Sequence, residues 1–187
     1  MASLRDIRNR IKSVKNTQKI TKAMKLVAAS KLRKAQDAIT AARPYAVEIT
    51  QALERVGSSM VDGESAVSNP LLETREIKRV LLVVMTSDRG LCGGFNANIA
   101  KLARTRIAEL RAEGKTIKIL TVGKKGRDAL RRDYKDLFVD HVDLSEVKTL
   151  GYANAQEIAQ AVLDRFDEGE FDGIKGLVLR AEFVRKR

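Results

Sequence analysis

The chain has 187 residues, of which 44% are hydrophobic and 32% charged, the balance of a folded protein and not of a disordered one. Its 36 Lys and Arg against 24 Asp and Glu give a net charge of +12 and a pI near 10.0, which calls for a large negative partner. One cysteine and one histidine exclude an internal disulfide framework and a Cys/His zinc centre.

The first element is a long helix. Leu4, Ile7, Ile11, Val14, Gln18, Thr21, Lys25, Ala28 and Leu32 open a heptad seam that continues to Val56. A seam of mean spacing 3.5 winds left-handedly around another helix, and at about 1.5 Å per residue this one is roughly 80 Å long. Nothing later in the sequence repeats at 3.5 for so long, so a partner helix must come from elsewhere. Midway the seam turns polar at Gln18, Thr21 and Lys25, while Ile20, Met24 and Val27 carry the apolar stripe one residue earlier, rotated by about 100°. That switch is either a simple stutter or a surface for a third protein.

Charge is concentrated in the same helix. Residues 1–35 hold eleven basic groups and one acid, Asp6, so ten of the net +12 lie there. Arg5, Arg8, Lys12, Lys15, Lys19 and Lys22 each follow a seam position by one residue and make a stripe of their own. Nucleic acid, an anionic membrane or acidic protein loops are the candidate partners. Pro44 lacks an amide donor and should loosen the helix locally, but the heptads run through it. Gly57-Ser58-Ser59 should end the helix near Val56, and the turn residues Asp62-Gly63 and Asn69-Pro70 mark a linker, giving a shaft over 1–56, a linker over 57–76 and a domain over 77–187.

Beyond the linker short apolar runs alternate with amphipathic stretches, the pattern of an open, mostly parallel, Rossmann-like α/β sheet. The expected elements are a buried strand at Val80–Met85, a helix from Asn96 to Glu113 stopped by Gly114, a strand at Ile117–Val122, a short helix at Lys125–Arg132, a strand at Leu137–Val142, a helix at Ala153–Phe166 and a strand at Ile174–Phe183. The first strand is far too short to span a bilayer, and no apolar signal core precedes the first helix. The chain reads as soluble.

The carboxyl ends of such strands are the usual ligand site. The first of these loops is Ser87-Asp88-Arg89-Gly90-Leu91-Cys92-Gly93-Gly94-Phe95-Asn96, which matches neither G-x-G-x-x-G nor a P-loop. Its glycines suit a tight strand-to-helix turn. Gly123-Lys124-Lys125-Gly126 has room for an anion but also reads as a turn. Cys92 lies near a helix start, where a thiol can be activated, yet the sole histidine, His141, falls in a distant strand. Neither an acid pair nor a metal cluster stands out, so no catalytic residue, cofactor or metal is expected.

Ser3-Leu4-Arg5-Asp6-Ile7-Arg8-Asn9-Arg10-Ile11, Thr17-Gln18-Lys19-Ile20-Thr21-Lys22-Ala23-Met24, the 87–96 loop, Arg43-Pro44-Tyr45 and Asn69-Pro70-Leu71-Leu72 together closely resemble the gamma-subunit family of F-type ATP synthases. The resemblance runs from Met1 to about Phe183. It implies a noncatalytic rotor: the N-terminal helix pairs antiparallel with a C-terminal helix, turns inside the ring of alpha and beta subunits, and an α/β foot meets the epsilon subunit and the membrane c-ring. It further implies that Lys19, Lys22, Met24 and Lys25, with Arg8, Lys12, Lys15 and Ile20 beside them, face the catalytic subunits, and that Ser87, Asp88, Arg89, Gly90, Leu91, Cys92, Gly93 and Gly94 form the family loop. Members of the family continue past Arg187 into the second shaft helix, so the C-terminus is expected to be truncated or altered. With no transit segment ahead of Ser3, a bacterial origin is expected, peripheral on the cytoplasmic face of the plasma membrane. A basic nucleic-acid-binding protein with a helical arm is the alternative, weakened by 4% aromatic content; a small α/β enzyme is the third class, and no motif supports it.

Overall fold

The computed structural model describes residues 3–61, 71, 76–147 and 149–177. The chain divides into two compact units, Met1–Glu73 and Thr74–Arg187.

Among its described residues the first unit holds one helix, α1, Leu4–Val61. Ser3 and Asp6 start it with a reciprocal cap: the Arg5 amide donates to the Ser3 hydroxyl at 3.3 Å and the Ser3 amide to the Asp6 carboxylate at 3.2 Å. Pro44 sits inside the helix without interrupting it. The end differs from expectation, for α1 runs five residues past Val56, through Gly57-Ser58-Ser59. A residue added to an established helix gains a hydrogen bond without a new nucleation step, and glycine opposes this by only about 1 kcal/mol. Every described residue from Ser3 to Val56 is exposed, the apolar seam included.

Among its described residues the second unit forms a four-stranded parallel sheet in the order β3-β2-β1-β4. Its elements are β1 Arg79–Met85, α2 Phe95–Ala112, β2 Thr116–Val122, α3 Lys124–Tyr134, a 3₁₀ turn Lys135–Leu137, β3 Phe138–Val142, α4 Tyr152–Asp167 and β4 Gly173–Leu177. The strands and helices thus fall within two residues of their expected starts. The second half of the last expected strand, residues 178–183, lies outside the described residues, as do Asp62-Gly63, Asn69-Pro70 and Arg185-Lys186-Arg187.

Alternate side chains of β1 explain the two layers. Val80, Leu82 and Val84 face a core with Ile99, Ala103, Ile107 and Leu110 of α2 and Leu130 of α3. Leu81 and Val83 face Leu120, Val122 and Phe171, over which Ile158, Val162 and Phe166 of α4 pack. Successive strand residues point to opposite faces, so α3 and α4 lie on opposite sides of the sheet. An ion pair ties the start of β1 to the residue before β4: Arg79 meets Asp172 at 2.6 Å and also donates to the Gly169 carbonyl. The Arg79 side chain, with the Arg79 and Lys78 amides, lowers the Asp172 carboxyl to about 2.

Candidate functional site

Two regions compete for function, the basic half of α1 and the strand-end loop of the α/β unit. On α1 the side chains of Arg8, Lys12, Lys15, Lys19, Ile20, Lys22, Met24 and Lys25 are all exposed. At 100° per residue, Arg8, Lys12, Lys15, Lys19 and Lys22 share a strip about 80° wide, and Lys25 lies about 60° beyond its edge, on the side away from Ile20. Ile20 and Met24 lie about 140° round the helix from the centre of that strip. These eight residues therefore form a cationic face and a separate apolar one, and a partner touching both must wrap the helix. The polar seam residue Thr21 is turned inward on its own helix, its hydroxyl donating to the carbonyls of Thr17 and Gln18 at 3.0 Å each.

The loop between β1 and α2 is tied to itself. Asn96, in the first turn of α2, accepts from the Ser87 amide at 3.0 Å and donates to the Ser87 hydroxyl at 2.9 Å and to Cys92 Sγ at 3.1 Å. The Ser87 hydroxyl donates to the Arg89 carbonyl at 2.6 Å. Between these ties Leu91 adopts φ +61°, a left-handed backbone that is strained for a leucine, with its side chain wholly in solvent.

The same loop occupies the start of α3. Asp88 accepts from the Lys124 amide at 2.9 Å, the Ser87 carbonyl from the Lys125 amide at 3.2 Å, and the Thr86 hydroxyl from the Gly126 amide at 2.7 Å. Those three N–H groups are the donors that an anion at Gly123-Lys124-Lys125-Gly126 would need. They are already taken, which makes the segment a turn and the Ser87-Asp88 pair a clasp between two strand ends. Glycine is required on the other side of this clasp, because a Cβ at Gly123 would lie 2.2 Å from the Thr86 carbonyl oxygen. Thr86 is the member of the clasp that lies outside the motif as read from sequence, and the 36-residue separation of Asp88 and Lys124 hid the contact between the two turns.

The thiol of Cys92 is exposed and its near neighbours are Ser87 and Asn96. His141 instead bonds Thr121 Oγ1 through Nδ1 at 3.0 Å, on β2. Close by, the Ser145 hydroxyl and amide hold the Asp143 carboxyl below its usual range. Among the described residues no group of three or more His, Cys, Asp or Glu is placed to hold a metal ion, and no described helix is long and apolar enough to cross a membrane.

A family model described as ATP synthase matches residues 3–185, almost the whole sequence. The chain belongs to the ATP synthase family. Within it, the chain is 59% identical over 172 residues to the ATP synthase gamma chain of Paracoccus denitrificans, covering 92% of this chain and 59% of that one. It is 55% identical over 172 residues to the gamma chain of Rhodobacter capsulatus, with the same coverage. The chain thus spans about three fifths of the length of the curated relatives it matches. Among solved structures it is similar to a chain of the Tetrahymena thermophila mitochondrial ATP synthase, central stalk and c-ring, with a TM-score of 0.60 and 31% identity, covering 78% of this chain and 59% of that chain.

Proposed function

We propose that this chain is the shaft-and-foot portion of the gamma subunit of a bacterial F-type ATP synthase, and that it carries rotation without catalysing a reaction. The observation that carries the reading is identity of 55–60% to ATP synthase gamma chains across a sequence whose first helix leaves its entire seam uncovered. A bare seam of this length is a binding surface for another helix. The cationic strip of Arg8, Lys12, Lys15, Lys19 and Lys22, with Lys25 flanking it, suits acidic segments of the beta subunits, while Ile20 and Met24 present an apolar contact of different chemistry on another side. Such a helix, turning inside a ring of alpha and beta subunits, shows each beta subunit a different face in turn, which is what coupling rotation to sequential chemistry requires. The α/β unit is then the foot, toward the epsilon subunit and the c-ring, and the assembly is peripheral, on the cytoplasmic face of the plasma membrane. The nucleic-acid alternative rests on the pI and the basic helix and gains nothing from the relatives.

The test is native mass spectrometry of the complex drawn from membranes through a tag on this chain. Recovery with three alpha and three beta subunits is the expected result; recovery alone or with nucleic acid overturns the rotor reading.

A further inference from the structure

Cations in the α/β unit are mostly answered within it. Arg79 meets Asp172 at 2.6 Å, Lys115 meets Glu113 at 2.6 Å, Lys118 meets Glu170 at 3.3 Å and Arg165 meets Asp140 at 2.8 Å. Helix α3 departs from this habit. Gly126 and Leu130 bury its inner side, so its outer side carries Lys124, Lys125, Arg131, Arg132 and, at its end, Lys135. Of these five only Arg132 reaches a carboxylate among the described residues, Asp133 at 3.1 Å. The exposed acids of this stretch are Asp128, approached by Arg127 at 3.5 Å, Asp133, shared by Arg132 and Arg104, and Asp136 beside Lys135. Like charges spaced four apart, as in Arg131 and Lys135, cost a helix stability, so solubility alone does not explain the strip.

The other side of the sheet has the opposite sign. Residues 137–177, which include α4 and its flanking turns, hold nine acidic and three basic residues. With α3 on the face of Val80, Leu82 and Val84 and α4 on the face of Leu81 and Val83, the excess of each sign falls on its own face, even after Asp140, Glu170 and Asp172 are answered by Arg165, Lys118 and Arg79; only at the start of α3 do the two meet, where Lys124 acts on Asp143.

We propose that the outer face of α3 is an electrostatic docking surface for an anionic phospholipid membrane. It is a convex row of point charges on flexible stems. Its one aromatic, Tyr134, is covered by the Arg111 guanidinium at 5.6 Å, which leaves no free platform for a nucleic-acid base and no apolar anchor for a peptide. Lipid headgroups need neither, because they move laterally to meet the charges. The acidic α4 side is repelled by the same surface, so the unit approaches with α3 leading. This goes beyond the rotor reading and does not depend on it.

The test uses the full chain and flotation with vesicles of phosphatidylcholine, with and without phosphatidylglycerol, at low and physiological salt. Because α1 is also basic, two variants with the same loss of charge are compared: Lys124→Gln, Lys125→Gln, Arg131→Gln and Lys135→Gln in α3, and Arg8→Gln, Lys12→Gln, Lys15→Gln and Lys19→Gln in α1. At about one decade or somewhat less per basic residue near the surface, the α3 variant should bind anionic vesicles at least tenfold more weakly than the α1 variant. Exchanging Lys124 and Lys125 for Arg, and Arg131 for Lys, should preserve binding, and unchanged amide protection of β1 in each variant shows that the fold is intact. Equal weakening of the two Gln variants overturns the proposal, as does equal binding to neutral vesicles. Tighter binding of the α3 face to polyglutamate than to vesicles also overturns it, in favour of an acidic protein.

Discussion

Two glycines with left-handed backbones allow the clasp to be weighed against simple backbone strain. Gly114 has φ +72° and open space where a Cβ would go, whereas Gly123 has φ +96° and the Thr86 carbonyl oxygen 2.2 Å from that position. Gly114→Ala therefore costs only the backbone strain of a left-handed alanine, about 1–2 kcal/mol. Gly123→Ala carries at least as much strain and must also push Thr86 back by about 1 Å to reach an ordinary contact near 3.2 Å. The Thr86 hydroxyl bonds the Gly126 amide at 2.7 Å and the Gly123 carbonyl at 3.2 Å, and its own amide bonds the Val122 carbonyl at 2.8 Å. Losing one or two of these at about 1–3 kcal/mol each brings the total to about 4 kcal/mol or more. Native-state hydrogen exchange of the β1 and β2 amides reads the difference without interference from α1. Protection should fall by about tenfold in Gly114→Ala and by a further hundredfold or so in Gly123→Ala. Equal losses in the two variants would refute the close approach of the two strand-end turns.

Other consequences can be checked with the same material. Asp88→Ala should cost about 1 kcal/mol and speed exchange of the Lys124 amide, while Asp88→Asn keeps most of the cap; an unchanged Lys124 amide in the alanine variant contradicts the clasp. The folded Asp172 carboxyl titrates near 2, below its unfolded value, so its contribution is complete above about pH 4 and fades as pH falls toward 2. Asp172→Asn should accordingly flatten the acid limb of a stability–pH curve in that window, and a limb as steep as in the wild type would assign acid lability to another group. Ile39 and Leu53 are 60% and 57% exposed, so Ile39→Ala and Leu53→Ala should leave β1 protection untouched yet reduce recovery of alpha and beta subunits; loss of β1 protection would mean that the seam supports the α/β unit. Cys92 should react stoichiometrically with a thiol reagent in the native state, and a burial-limited, slow reaction would contradict its exposure.

Much of the α/β unit was legible because its signals are local. Val80 to Val84 form an unbroken apolar run, and a run of that length between turns is a buried parallel strand. The heptad seam was equally plain, and the exposed stripe follows from it directly. What could not be read depends on contacts between distant residues. Asp88 looks like part of a glycine-rich loop until the β1–β2 pairing sets it beside Lys124. The charge segregation was countable in sequence, but only strand alternation assigns each sign to a face. The end of α1 differs from the sequence expectation because Gly57-Ser58-Ser59 carries a stop signal that a long helix overrides at small cost. Ser3 and Asp6 were a readable cap that the heptad pattern overshadowed.

The order of the strands also sets a timetable. β1 sits at the centre of the sheet, but the neighbour that covers its outer edge, β4, is 93 residues later, Val80 pairing with Gly173. At ~5–20 residues per second, translation from Met85 to Leu177 takes roughly 5–20 s. During that interval Leu81, Leu82, Val83 and Val84 have left the ribosome with one edge unpaired, and α1 has emerged with its seam bare. The β1–β4 pairing cannot form earlier, because the long intervening segment must be ordered before the pairing rewards it. The nascent chain therefore carries two apolar surfaces at once until synthesis delivers β4.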